Sequence, residues 1–131
     1  MAYLIDTNIV IHARDGTQAV LDKLAEHDGA IVMSALSLAE LQRGFSKSDS
    51  FSALRRERLR ILLPRIPVVA FDAAAAETYG LIIAQSGWVK GRDYDRMIAA
   101  HAIVTGSTLV TDNESDFSNI AGLSLENWAR S

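Results

Sequence analysis

Short apolar runs alternate along the chain with longer stretches of helical periodicity. Tyr3-Leu4-Ile5, Ile31-Val32-Met33, Val68-Val69-Ala70-Phe71 and Thr108-Leu109-Val110-Thr111 each read as a strand, and Leu123-Ser124-Leu125 as a short fifth. Helical patterns fill the gaps at about 8–13, 17–27, 37–46, 51–63, 73–86 and 94–105. Asp72 is placed to cap the Ala73–Ala76 run, and Gly87 and Gly106 to end their helices. Pro64 and Pro67 mark one helix-to-strand turn, and the polar stretch Ser46–Ser50 an exposed turn between helices.

The strands are continuously apolar rather than alternating, as a sheet covered on both faces requires. Strand–helix alternation with such strands predicts an α/β fold around a mostly parallel sheet of four to five strands. In folds of this kind sites form beyond the carboxyl ends of the strands, and that is where chemistry is to be sought.

The length of 131 residues suits one domain spanning 1–131. Hydrophobic residues make up 49% and charged residues 22%, which argues against disorder. The longest apolar run, Met97–Val104, is far short of the roughly 18 residues of a membrane helix and contains His101. Asp6 interrupts the start before a signal-peptide core could form, and there is no cysteine for disulfides, zinc–thiolate sites or a thiol nucleophile. A cytoplasmic protein without membrane association is expected. The net charge is −3, yet Arg43–Arg65 carries seven basic residues against Asp49 and Glu57, a net +5. A basic stripe on an acidic chain is a candidate footprint for a polyanion, with Arg43, Arg55 and Arg56 as tentative RNA contacts; a solvated helix face is the plainer reading.

Acidic residues gather where the chemistry is expected. Asp6 directly follows the first strand, although an aspartate there also suits a helix cap. Glu40, three residues after Ser37, has the spacing of a capping box and can at the same time point beyond the second strand. Asp95 opens a helix and heads its apolar stripe of Ile98, Ala99 and Ala102, so it should face the sheet; Asp93 should point elsewhere. Thr111-Asp112-Asn113-Glu114-Ser115-Asp116 follows the fourth strand, with Asp112, Asn113 and Asp116 each a possible ligand. Carboxylates held together repel unless a cation neutralises them. Oxygen ligands without cysteine or clustered histidine suit Mg²⁺ or Mn²⁺, and a metal-activated water can attack phosphorus. Other chemistries fit worse. The chain has no P-loop, no G-x-G-x-x-G and no G-x-S-x-G. His12, His27 and His101 lack ligand spacing, and His101 reads as a core-edge or surface histidine.

These motifs resemble those of the PIN-domain ribonucleases, most closely the VapC and FitB-like toxins of toxin–antitoxin pairs. Tyr3–Asn8 resembles the first motif, Ser34–Gly44 with Glu40 the second, Asp95–Ala102 the third, and Leu109–Asn113 continuing to Phe117 the fourth; the ending Gly122–Trp128 is also similar. The resemblance implies a three-layer α/β/α PIN fold and a Mg²⁺-dependent endoribonuclease in which water attacks the phosphodiester directly. It implies Asp6 and Asp95 as principal metal ligands, Glu40 and Asp116 as the remaining catalytic acids, and Thr7 and Thr111 as residues that orient carboxylates or water. Asn8, Asp112 and Asn113 would support them. It implies, further, a homodimer inhibited by a cognate antitoxin. Where many relatives carry an acid two residues after the fourth-strand threonine, this chain has Asn113: either Asp116 supplies that carboxylate or a second metal binds weakly. Two other classes remain as alternatives, a Mg²⁺-binding receiver-like signalling domain using Asp72, and a non-catalytic module that binds RNA or protein.

Overall fold

The computed structural model describes residues 2–44 and 50–130. Its sheet has five strands, β1 (Tyr3–Ile5), β2 (Ile31–Ser34), β3 (Val68–Val69), β4 (Thr108–Val110) and β5 (Leu125–Glu126), in the order β3-β2-β1-β4-β5. All four pairings are parallel, with Leu4 opposite Val32 on one side and Leu109 on the other. The helices are α1 (Thr7–Arg14), α2 (Gln18–Glu26), α3 (Ala35–Arg43), α4 (Ser50–Leu62), α5 (Ala73–Ser86) and α6 (Asp93–Val104). The expected turn at Ser46–Asp49, with the end of the 37–46 helix, lies outside the described residues.

Because successive strand residues face opposite sides, each strand feeds two cores. Ile5, Ile31, Met33 and Val110 pack with Ile9 and Val10 of α1, Val20 of α2, Leu41 of α3, Leu59 of α4 and Trp128. Leu4 and Leu109 pack on the other face with Ile82 of α5 and with Ile98, Ala99 and Ala102 of α6. The result is the expected three-layer α/β/α arrangement with an all-parallel sheet.

Several expected boundaries shift for local reasons. Strand β3 stops at Val69 because its partner β2 ends at Ser34, leaving Ala70 and Phe71 without a ladder to join. The fifth strand is Leu125–Glu126 rather than 123–125, paired with Leu109 and Val110. Helix α3 begins at Ala35, two residues early, capped by Ser34 through the Leu36 N–H at 3.1 Å. The capping box at Ser37 and Glu40 therefore does not form; Ser37 lies inside the helix, buried, with no partner for its Oγ among the described residues. His101 belongs to the core rather than its edge. It is 1% exposed, sits 2.8 Å from Ser34 Oγ and meets the edge of Phe71. Asp72 caps α5 as expected, and Gly87 follows it with φ +81°.

The chain winds outward from β1 to β2 to β3, then returns to place β4 on the other side of β1. The crevice between the carboxyl ends of β1 and β4 is the switch point where such sheets hold their sites. Helix α6 leads into β4 through a three-residue turn, so it runs back along the sheet and its amino end lies at that same edge.

Core packing against the central strands should dominate stability. Leu109→Ala, at a fully buried position between β1 and β5, is expected to cost about 2–5 kcal/mol. Leu81→Ala, at a position 62% exposed on α5, is expected to cost within about 0.5 kcal/mol. Urea unfolding of both variants checks the contrast.

Candidate active site

Asp6 follows β1 directly and is 8% exposed. Its Oδ1 accepts the Ile9 N–H at 3.1 Å, so it caps α1, while its own N–H donates to the Val110 carbonyl at 3.0 Å. The capping role and the site role thus fall on one residue, held between β1 and β4. The buried Thr111 hydroxyl donates to the same carboxylate and accepts the Asn113 N–H at 3.1 Å. Burial outweighs these donors, and the charges of Asp112 and Asp95 add to it, so the Asp6 carboxyl is pushed up to about 6.

Asp95 is the third residue of α6, half-buried. Its carboxyl is also raised, mainly by burial and further by the Asp116 charge, with Arg92 opposing. Asp116 sits on a 3-10 turn, Glu114–Phe117, anchored by buried Phe117. Arg92 Nη1 lies 2.6 Å from Asp116 Oδ1 and 3.4 Å from Asp95 Oδ2, and the Asn113 amide donates to Asp116 from the other side. Glu40, on α3, accepts the Thr7 hydroxyl at 2.9 Å. Asp112 accepts from Asn8 at 3.4 Å and lies 2.8 Å from His12 Nε2. Asp93, as expected, points away, accepting from Tyr79 at 2.6 Å and Trp88 at 3.0 Å.

The residue pattern of the PIN domain matches residues 3–123. The chain belongs to the PIN-domain family. It is 38% identical over 98% of both chains to a protein named Ribonuclease VapC2 from Rickettsia felis. It is 32% identical, over 98% of its own length and 99% of the other, to the tRNA(fMet)-specific endonuclease VapC of Shigella flexneri. In three dimensions it matches the crystal structure of VapBC2 from Rickettsia felis bound to a DNA fragment from their promoter, with a TM-score of 0.85, 35% identity and coverage of 98% and 99%. The expected PIN fold and kinship with the VapC ribonucleases of toxin–antitoxin systems both hold.

The PIN domain brings Asp6, Asp95 and Asp112 into electrostatic contact, joins Asp95 to Asp116 through Arg92, and ties Glu40 to Thr7 beside Asp6. Among the described residues, no three acidic or histidine side chains stand together closely enough to hold a metal ion. The acids are engaged by nearby donors instead: Glu40 by Thr7, Asp112 by Asn8 and His12, and Asp95 and Asp116 both by Arg92. The donor chemistry still fits a hard divalent ion, since every group is an oxygen ligand and burial disfavours the bare charge of both raised carboxyls. Asp72, the acceptor a receiver-like reading needs, is engaged as the α5 cap beside edge strand β3, away from the crevice.

The basic stripe lies elsewhere. Arg43 ends α3, and Arg55 and Arg56 are exposed on α4, with Arg55 5.3 Å over the Phe51 ring. Arg55 and Arg58 act electrostatically on Asp15, at the far end of α1 from Asp6. That end is roughly 12 Å away at 1.5 Å per helical residue. The cations nearest the acids are instead Arg92 and Arg96, which sequence reasoning passed over along with His12. Asn8 and His12 are four residues apart on α1, and Arg92 precedes Asp95 by three, so helical spacing was the available signal.

The raised Asp6 carboxyl has a consequence for stability. The folded state keeps its proton up to about pH 6, whereas an unfolded aspartate loses it near 3.8. The folded state thus binds more protons between these values, and divalent-free stability should fall as pH rises through that window, by up to about 3 kcal/mol. Asp6→Asn retains the cap and should remove that slope. Urea midpoints at pH 4 and pH 7.5 for both proteins test it.

Proposed function

We propose that this PIN domain is a divalent-metal-dependent endoribonuclease, the toxin of a toxin–antitoxin pair, that hydrolyses RNA phosphodiester bonds with Mg²⁺ or Mn²⁺. The observation that carries the proposal is the placement of Asp6, buried at the crevice where the sheet order reverses, with the charges of Asp112 and Asp95 acting on it. The likeness to a VapC ribonuclease over nearly the whole chain supports it.

Asp6 and Asp95 would hold the ion, with Glu40 and Asp116 as the remaining catalytic acids. When bound, the ion supplies a lowered pKa to water and neutralises charge on the leaving oxygen. The protein's own contribution is orientation. Thr111 fixes the Asp6 carboxylate, and Thr7 fixes Glu40. Asn113 holds Asp116 from one side, an amide that steers a neighbouring acid rather than supplying one. His12 and Asn8 hold Asp112 next to Asp6, where its charge keeps the pocket attractive to a cation. Arg43, Arg55 and Arg56 would meet the substrate's more distant phosphates. The partners follow from the same reading: an RNA substrate, with tRNA(fMet) the first candidate by the Shigella flexneri relative, a cognate antitoxin and a second copy of the chain. No helix among the described residues is long and apolar enough to cross a membrane.

Asp6→Asn and Asp95→Asn should each lower RNA cleavage by more than the 10- to 100-fold typical of losing a residue that merely orients a ligand, while keeping a cooperative urea transition. Near wild-type cleavage by either variant with Mg²⁺ present would overturn the assignment. Chelation by EDTA should abolish cleavage, and added Mg²⁺ or Mn²⁺ should restore it; turnover that persists in EDTA rules out the metal.

A further inference from the structure

Beside the acids, and facing away from α4, lies a cavity of about 340 Å³ between the amino end of α6 and the turn after β4. Arg92, Arg96, Ser115, Ser118 and Asn119 line it, with Asp116 at its border. Arg96 is 4% exposed, and its Nη1 has no hydrogen-bond partner among the described residues. A guanidinium is always charged, and burying one with an unanswered N–H costs free energy that an anion would return. The amino end of α6, twelve residues long, adds partial positive charge, which Asp93 and Asp95 of its first turn share. Asp116, the one acid on the lining, is already engaged by Arg92 and Asn113.

We propose that this cavity is a phosphate subsite that grips an RNA backbone phosphate next to the one cleaved, with Arg96 as its anchor and Arg92 at its border with the acids. The proposal rests on the reading of the β1–β4 crevice as the cleavage site. Arg96 follows Asp95 by one residue on the same helical turn, so a strand with its scissile phosphate at Asp6 and Asp95 would carry a neighbouring phosphate past this opening. Arg96 supplies the unanswered donor of this lining, Ser115, Ser118 and Asn119 add neutral polar groups, and Arg92, engaged by Asp116 and Asp95, closes it toward the acids. A basic stripe on α4 could not do this, because it lies on the opposite layer of the sheet.

The test measures binding of a fluorescein-labelled single-stranded RNA in the Asp6→Asn background. Adding Arg96→Met should weaken affinity roughly tenfold, as expected for one charge-assisted contact, and lower the salt slope by about 0.7 for one lost phosphate contact. Ser118→Asp puts a negative charge at the exposed rim, and should weaken binding similarly without disturbing the core. A structural role for Arg96 predicts instead a lower urea midpoint with an unchanged salt slope. If both substitutions leave RNA affinity and salt slope unaltered, the subsite is wrong. Should Arg96→Met fail to fold, Ser118→Asp alone decides. Cleavage by the wild-type chain, measured separately with Mg²⁺, distinguishes failure of the subsite from failure of the nuclease reading.

Discussion

A carboxylate buried at the end of the central strand is costly, and much of the local structure answers that cost. Asp6 cannot move: the ladder hydrogen bond to Val110 and the cap on Ile9 hold it at the crevice between β1 and β4. Two neighbouring acids add repulsion, and even with the Thr111 hydroxyl its carboxyl remains raised. Folding thus keeps a carboxyl where ionisation is costly, and hydrophobic layers on both faces of the sheet supply the free energy that holds it there.

Local donors divide the surrounding acids among themselves. Thr7 takes Glu40, His12 and Asn8 take Asp112, and Arg92 spans Asp95 and Asp116. An ionised carboxylate only accepts, so the proton of His12 lies on Nε2 and its Nδ1 can accept from Thr17, 3.1 Å away. Each arrangement lowers the repulsion among the acids it engages. Arg92 serves as an internal counter-charge to Asp95 and Asp116, and Arg96, one residue on from Asp95, lowers the repulsion further.

The layer order and the identity of the sheet were legible because they depend on residue type alone. Continuous runs such as Tyr3–Ile5 admit only a strand covered on both faces, and Asp72 marks its helix start with a side chain that bonds its own backbone. The capping-box spacing of Ser37 and Glu40 marked the wrong start for α3. Ser34 caps because β2 ends there and its side chain also meets His101 from α6, a contact across 67 positions of sequence. The third strand was read too long for a related reason: strand length belongs to the pair, and β2 turned into a helix first.

The placement of the acids was legible, since strand exits and one helix start are local features and the chain supplies a carboxylate at each. Their partners were not. Helical spacing was the only mark on His12 and Arg92, and it does not say which acid a side chain will meet; the conspicuous arginine segment lies on the other layer. What the amino-acid sequence determined by itself is the periodicity that builds an α/β sheet and the acids at its carboxyl edge, because hydrophobic period and capping chemistry act over a few residues. Only the tertiary structure decided which cations face those acids, because that depends on which helix the crossover back to β4 lays against the crevice.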